Sequence, residues 1–388
     1  FPANDLPRLT ATDAPAFAND SAEDRGLDLW LLAAVLALVA IGTVEIYSAS
    51  AVYAHRQFGS SAHFLIRQLL YLGIGTVAMV LAARTDFGWL RRYSYPLLVS
   101  SFVLLAAVLV IGLKINNARR WIAVGPLTFQ PVEIAKLGLV AFLAGSLAAK
   151  QEKIKSFTVG FLPHLVVCGL MVILLLAQPD LGSSIILGAT TLILLFVAGT
   201  KLSYILIALL ATAPLGYYAI VGTPWRLKRL IAFLDPWQFK RTIAYQITES
   251  LISIGSGGMA GLGLGDGKQK LFYMPEAHTD FIMSNIGEEL GFVGFALVIA
   301  LFAVIVWRGL RAATRARDLF GTFVAFGLTS IFALQGLVNT AVVLGAIPAK
   351  GLTLPFVSYG GTSLIMSMLC TGVLLNISTR APAPPPKS

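Results

Sequence analysis

"LWLLAAVLALVAIGTVEIYSAS", residues 29–50, reads as a helix that crosses a membrane. About 20 predominantly apolar residues span a hydrocarbon core, and a helix satisfies its own backbone hydrogen bonds where no water can. Working outward, similar runs recur at 67–83, 95–113, 132–149, 159–177, 181–199, 202–222, 284–307, 319–343 and 356–377. The composition agrees: 57% of the residues are hydrophobic and only 12% charged, and mean hydropathy is +0.79. A soluble domain carries about 25% charged residues. The expected fold class is therefore an all-α polytopic membrane protein of about ten transmembrane helices. It forms one unit over residues 28–380, with a large extracytoplasmic loop, 223–283, between helices 7 and 8. Residues 1–27 and 381–388 read as disordered cytoplasmic tails, the second ending in "APAPPPKS". The polar, acidic first 26 residues lack the charged, apolar and cleavage regions of a signal peptide.

Ten spans put both termini on one side. The loops on that side carry Arg84, Arg91, Arg92, Lys150, Lys153, Lys155, Lys201, Arg308, Arg311, Arg315 and Arg317. The short loops opposite carry Arg56, Arg67, Lys114, Arg119, Arg120 and Lys350. The excess of Lys and Arg beside the termini places that side in the cytoplasm and the 223–283 loop outside. The net charge of +10 belongs partly to this signal. No aromatic–basic module for nucleic acid appears. Cys168 and Cys370 fall in spans and read as small buried hydrophobes, with no zinc spacing.

Within the long loop, "TPWRLKRLIAFLDPWQF" (223–239) interleaves Trp225, Leu227, Leu230 and Ile231 with Arg226, Lys228 and Arg229. This is the pattern of a segment lying on the bilayer surface, its basic residues serving as anchors. The glycines that follow lack a strand–turn–helix context, which excludes a nucleotide-binding loop. Next comes "LFYMPEAHTDFIMSNIGEELG" (271–291), dense in ionisable groups for so apolar a chain. Ionisable groups at a membrane boundary are costly unless they have a task. On a helix Glu276 and Asp280 share a face and His278 turns away. Glu276 after Pro275 suits a helix start, whereas Asp280 sits where water meets lipid, a place for a general base. A metal held by Glu276, His278 and Asp280 matches no strong motif.

Four more stretches converge on the outer side. "QPVEIAKLGLV" (130–140) puts Glu133 and Lys136 on one helical face, as an ion pair or a functional couple. "LLAQPDLGSS" (175–184) places Asp180 where it caps the next helix. "GAIPAKGLTLPFVSYGGTS" (345–363) brings Lys350, Gly351 and a Gly360–Gly361 break, the kind of interruption that lines a cavity. "NNARRWIAVGPLTFQP" (116–131) adds Arg119 and Arg120. Cations grouped with a few carboxylates suit an anionic, phosphorylated ligand.

Taken together, "YSAS" (47–50), "ARRWI…FQPVEIAK" (118–136), "QPDLGSS" (178–184), "FLDPW" (233–237), "PEAHTDFI" (275–282), "GEELG" (287–291) and "LPFVSYGGTS" (354–363) resemble the SEDS family of shape, elongation, division and sporulation proteins. The resemblance covers roughly residues 28–380 in order and is closer to the division branch than to the elongation branch. Val132, Met283 and Thr362 depart from the usual pattern, and none is charged. The resemblance implies a peptidoglycan glycosyltransferase of the bacterial cytoplasmic membrane that polymerises lipid II. Its partners would be a class B penicillin-binding protein and other division or elongation proteins. The family's essential aspartate falls on Asp280, and its other important positions fall on Arg67, Arg120, Glu133, Lys136 and Asp180. Glu276, His278 and Lys350, from the same outward cluster, complete the candidate substrate-binding set. The resemblance requires no cofactor; a divalent cation, Mg or Mn, is compatible with it. Two rival readings stand beside it. A lipid II flippase needs polar groups through both leaflets, and a scaffold for the penicillin-binding protein leaves the motif charges unexplained.

Overall fold

The computed structural model describes residues 26–115, 118–125, 127–268, 278–349 and 351–380. The chain is mostly helical and polytopic. Long apolar helices are α1 (Leu29–Phe58), α2 (His63–Arg84), α4 (Ser94–Ile111) after the short α3 (Gly88–Arg92), and α5 (Pro131–Ala149). A π-helical turn (Phe157–Phe161) leads into α6 (Leu162–Ala177). α7 (Leu181–Val197) and α8 (Leu202–Val221) follow, then α9 (Pro224–Leu234), α10 (Tyr245–Gly257) and α11 (Ile282–Glu289). α12 (Gly291–Thr314), α13 (Leu319–Val343) and α14 (Gly361–Thr379) complete the order. Among the described residues eight helices are long and apolar enough to cross a membrane, 157–177 counted as one; Leu181–Val197 and Leu202–Tyr218 are shorter apolar helices.

The helical expectation is joined by one feature the apolar pattern did not announce. Three strands, β1 (Leu113–Ile115), β2 (Ala118–Val124) and β3 (Leu127–Phe129), form an antiparallel sheet in order β1-β2-β3. Too short and polar to span, this stretch satisfies its backbone by pairing with itself. α5 and α13 occupy the middle of the bundle: α5 packs on α4, α7, α13 and α14, and most of its side chains are buried. α2 and α4 instead leave apolar residues such as Val77, Val103 and Val110 facing outward, where lipid would meet them. α14 lies against α2 at backbone contact distance: a Cβ on Gly372 would collide with the Met79 carbonyl oxygen. Such approach is how apolar helices attract each other in lipid, where burial offers no gain.

The expected run 284–307 is divided in two. A continuous helix would direct the amides of Phe292 and Val293 to the carbonyls of Glu288 and Glu289. Those amides donate instead to Gly258 and Met259 (2.9 and 3.2 Å), and the two carbonyls accept from Leu262 and Gly263 (2.9 and 3.0 Å). The glycine-rich loop is thus spliced into the helix, and Gly291 makes the turn with φ 66°. The last helix likewise starts at Gly361 rather than 356, leaving 351–360 as irregular chain. Three ion pairs gather at one end of the bundle: Arg308–Asp28 (2.7 Å), Arg380–Asp86 (3.0 Å) and Arg91–Asp318 (3.8 Å). Cys168 and Cys370 are both free thiols.

Candidate active site

At the other end, where α1 ends and α2 begins, residues His278 to Phe281 form a turn, and the helix starts only at Ile282. Three consecutive carbonyls of that turn are held from outside it. The Tyr359 amide donates to the His278 carbonyl (2.9 Å). The Ser358 hydroxyl donates to the Thr279 carbonyl (2.6 Å). The Asn339 side-chain amide on α13 donates to the Asp280 carbonyl (2.9 Å) and to that of Leu352 (2.8 Å). Ser358 also accepts from the Leu354 amide (2.8 Å), so the irregular 351–360 segment is itself folded around that hydroxyl.

Asp280 projects towards Gly351. A Cβ built on that glycine would lie 3.1 Å from Asp280 Oδ2 and 3.7 Å from Arg120 Nη1, so carboxylate and guanidinium approach the same bare α-carbon. Arg120 is aimed there by its strand. It donates through Nε to the Gln178 carbonyl (3.2 Å) and through Nη2 to the Pro179 carbonyl. Arg119, one residue earlier, faces the other way, because successive side chains alternate along a strand. It donates to the last carbonyls of α4, those of Leu109 (3.0 Å) and Val110 (2.8 Å). A second cation joins from α9: Arg229 donates to the Ala349 carbonyl (3.4 Å). Burial, and then the like charge of Arg120, pushes the Arg229 guanidinium below its ordinary range, while Asp280 pulls it back up.

Asp180 supports this arrangement from behind. Buried at the start of α7, it accepts from the Ser183 amide (3.0 Å) and hydroxyl (2.8 Å) as an N-cap. That cap fixes the Gln178–Pro179 turn on which Arg120 rests. Arg67 lies near the Tyr359 phenol, which burial and then Tyr71 push up while the Arg67 charge opposes them. The His278 ring packs on Tyr53, Phe64 and Tyr359, at 6.2, 4.8 and 5.8 Å between centroids. Arg67, His278, Arg120 and Asp280 therefore gather about one loop. Glu133 and Lys136 pair at 2.8 Å inside the bundle, beside a small cavity of about 20 Å³ bordered by Gln335, Ser367 and Cys370. Glu276 and Lys350 lie outside the described residues.

The remaining acids of the 271–291 stretch have a different occupation. Glu289 accepts from the Ser48 hydroxyl (2.7 Å) and the Gly265 amide (2.9 Å), and Glu288 from the Lys268 amide (2.8 Å) and the Ser253 hydroxyl (3.1 Å). They anchor the glycine-rich loop. Among the described residues no group of three or more His, Cys, Asp or Glu is arranged to hold a metal ion. Sequence reasoning passed over Arg229, Asn339, Ser358 and Tyr359. Arg229 sits in a segment legible as a surface anchor, and the "LPFVSYGGTS" motif carries the family resemblance without giving Ser358 or Tyr359 a role. An asparagine inside a predicted span, at 339, was the available clue.

The FtsW/RodA/SpoVE family, described as cell cycle proteins, matches residues 29–382. The chain belongs to this family. Among its relatives is "Probable peptidoglycan glycosyltransferase FtsW" of Trichlorobacter lovleyi, 47% identical over 353 residues, covering 90% of this chain and 93% of that protein. Stage V sporulation protein E of Bacillus subtilis is 43% identical, covering 90% and 96%. Among solved structures, a chain from a peptidoglycan synthase complex that coordinates polymerization and crosslinking matches with a TM-score of 0.77 and 32% identity, covering 91% of this chain and 98% of that one. RodA of Thermus thermophilus, a rod shape determining protein, matches with a TM-score of 0.68 and 31% identity, covering 92% and 98%. As an FtsW/RodA/SpoVE protein, the chain is a polytopic membrane protein, in keeping with the long apolar helices among its described residues.

Proposed function

We propose that this chain is a peptidoglycan glycosyltransferase that polymerises lipid II at the outer face of the bacterial cytoplasmic membrane. The observation that carries the reading is the meeting of Asp280 and Arg120 at Gly351, with Arg229 beside them. One carboxylate among guanidinium groups suits a reaction that removes a proton at one point and develops phosphate charge at another. Asp280 takes the proton of the acceptor sugar's 4-hydroxyl as that oxygen attacks the anomeric carbon of the donor. The bond from that carbon to the pyrophosphate breaks, configuration inverts, and undecaprenyl pyrophosphate leaves. Arg120 and Arg229 stabilise the departing charge. Arg67, His278, Glu276 and Lys350 contribute to the sugar and pyrophosphate subsites, Asp180 holds the Arg120 turn, and Glu133–Lys136 maintains the interior behind them.

Topology supports the assignment of sides. The ion-paired end carries the basic loops and belongs in the cytoplasm with both termini, after ten crossings, which puts the Asp280 end outside. A class B penicillin-binding protein is the partner that would crosslink the strands, in keeping with the solved neighbour's place in a synthase complex of polymerization and crosslinking. The test is purified protein, alone and with that partner, given labelled lipid II in detergent, with glycan strands separated by length. Polymer without leaflets supports the enzyme. No polymer, together with lipid II movement across proteoliposomes, would establish the flippase instead.

A further inference from the structure

We propose that Asn339 and Ser358 are positioning residues that set Asp280 from two separate elements, so that the reactive carboxylate is aimed by α13 and the 351–360 loop rather than by its own helix. The proposal rests on the glycosyltransferase reading above. Asp280 lies in a turn ahead of α11, where no i to i+4 ladder fixes its backbone. A row of donors from other elements holds it: the Tyr359 amide, Ser358 hydroxyl and Asn339 amide on carbonyls 278, 279 and 280.

The chemistry of each donor is specific. Both partners of Asn339 Nδ2 are carbonyls, those of Asp280 and Leu352, so the amide cannot be flipped without setting oxygen against two oxygens. Through this one group the residue bearing the carboxylate is tied to the residue beside Gly351, the α-carbon that the carboxylate approaches. An apolar side chain at 339 would leave both of these carbonyls without their donor, so the position acts through Nδ2. Ser358 is buried and uses its hydroxyl in both senses, donating to Thr279 and accepting from Leu354. It therefore ties the irregular loop to the turn, as Asn339 ties the helix to both. Neither side chain is a catalytic residue; each acts through Asp280.

The experiment measures strand synthesis at varied lipid II concentration for Asn339→Ala, Ser358→Ala, Ser358→Thr and Asp280→Ala, with thermal melting of each purified protein. A misplacement of about 1 Å costs about 10²-fold in rate, which sets the expected loss in kcat for Asn339→Ala, with KM within about twofold of the wild type. Ser358→Ala should lose about tenfold, and Ser358→Thr, which keeps the hydroxyl, should recover most of it. If Asn339→Ala does not purify as folded protein, the Ser358 pair decides. Wild-type kcat in both alanine variants, beside an inactive Asp280→Ala, overturns the positioning role alone. Full activity of a folded Asp280→Ala overturns the glycosyltransferase reading on which it rests. A loss in Ser358→Ala that appears in KM and melting temperature but not in kcat shows a merely structural serine and also overturns the inference.

Discussion

Lys136 Nζ stands 2.8 Å from Glu133 Oε1, one turn apart on α5, with both side chains almost wholly sealed in the helical bundle. Two charges taken out of water repay their desolvation only while they stay together. Removing one leaves the other uncompensated, at a cost of roughly 3–5 kcal/mol. Glu133→Ala and Lys136→Ala should each lower the melting temperature of the purified protein and its yield. The reversed pair, Glu133→Lys with Lys136→Glu, should regain part of that stability. Singles that melt with the wild type would show that the pair carries no structural weight.

Asp280→Asn keeps the size of the side chain and removes its basicity. General-base catalysis contributes roughly 10²–10⁴-fold, so strand synthesis should fall by that order while folding and copurification with the partner persist. Asp280→Ala should be equally inactive. Near-normal polymer from either protein would remove Asp280 from the base role.

Gly351→Ala should act on the site without acting on the fold. The new Cβ would lie 3.1 Å from Asp280 Oδ2, tighter than ordinary contact, so the carboxylate must move. A rate loss of about tenfold or more, at unchanged melting temperature, is the expected outcome. An unaltered rate would mean that the carboxylate can yield without leaving its working position.

The two adjacent arginines of β2 should separate cleanly. Arg120→Ala removes a guanidinium from the Gly351 site and should cut polymerisation severely. Arg119→Ala takes away a cap on α4's last carbonyls and should leave the rate near wild type. Equal losses in the two variants would contradict the alternating placement of their side chains.

Tyr359 gives a signature in alkali. Burial, then Tyr71, raises its phenol above the ordinary 10.0. A group whose folded-state value is raised contributes stability that is whole below the ordinary value and is lost as pH rises through the folded one. Melting temperature should therefore fall more steeply above about pH 10 in the wild type than in Tyr359→Phe. Parallel curves would show that the phenol does not sense its burial.

The sequence by itself determined the membrane class, the run of apolar helices and the charged motifs, because each follows from local composition. A bilayer reads hydrophobicity residue by residue, and an apolar run long enough to span can satisfy its backbone only by becoming a helix. Tertiary structure decided which of the motif charges stand together. Of the acids in 271–291, only pairing with the glycine-rich loop distinguishes Glu288 and Glu289, which hold backbone amides, from Asp280, which meets Arg120 across Gly351. The break at Gly291 has the same origin: its missing helical hydrogen bonds are supplied by residues 258–263, some thirty positions earlier in the chain. Arg229 was legible as an amphipathic surface residue, yet its place beside Arg120 and Asp280 depends on α9 lying against Ala349. Asn339 and Ser358 are separated from Asp280 by dozens of residues, and their task exists only because α13 and the 351–360 loop converge on its turn. Hydrogen bonds between distant segments leave no period in the sequence, because their partners are selected by packing and not by spacing.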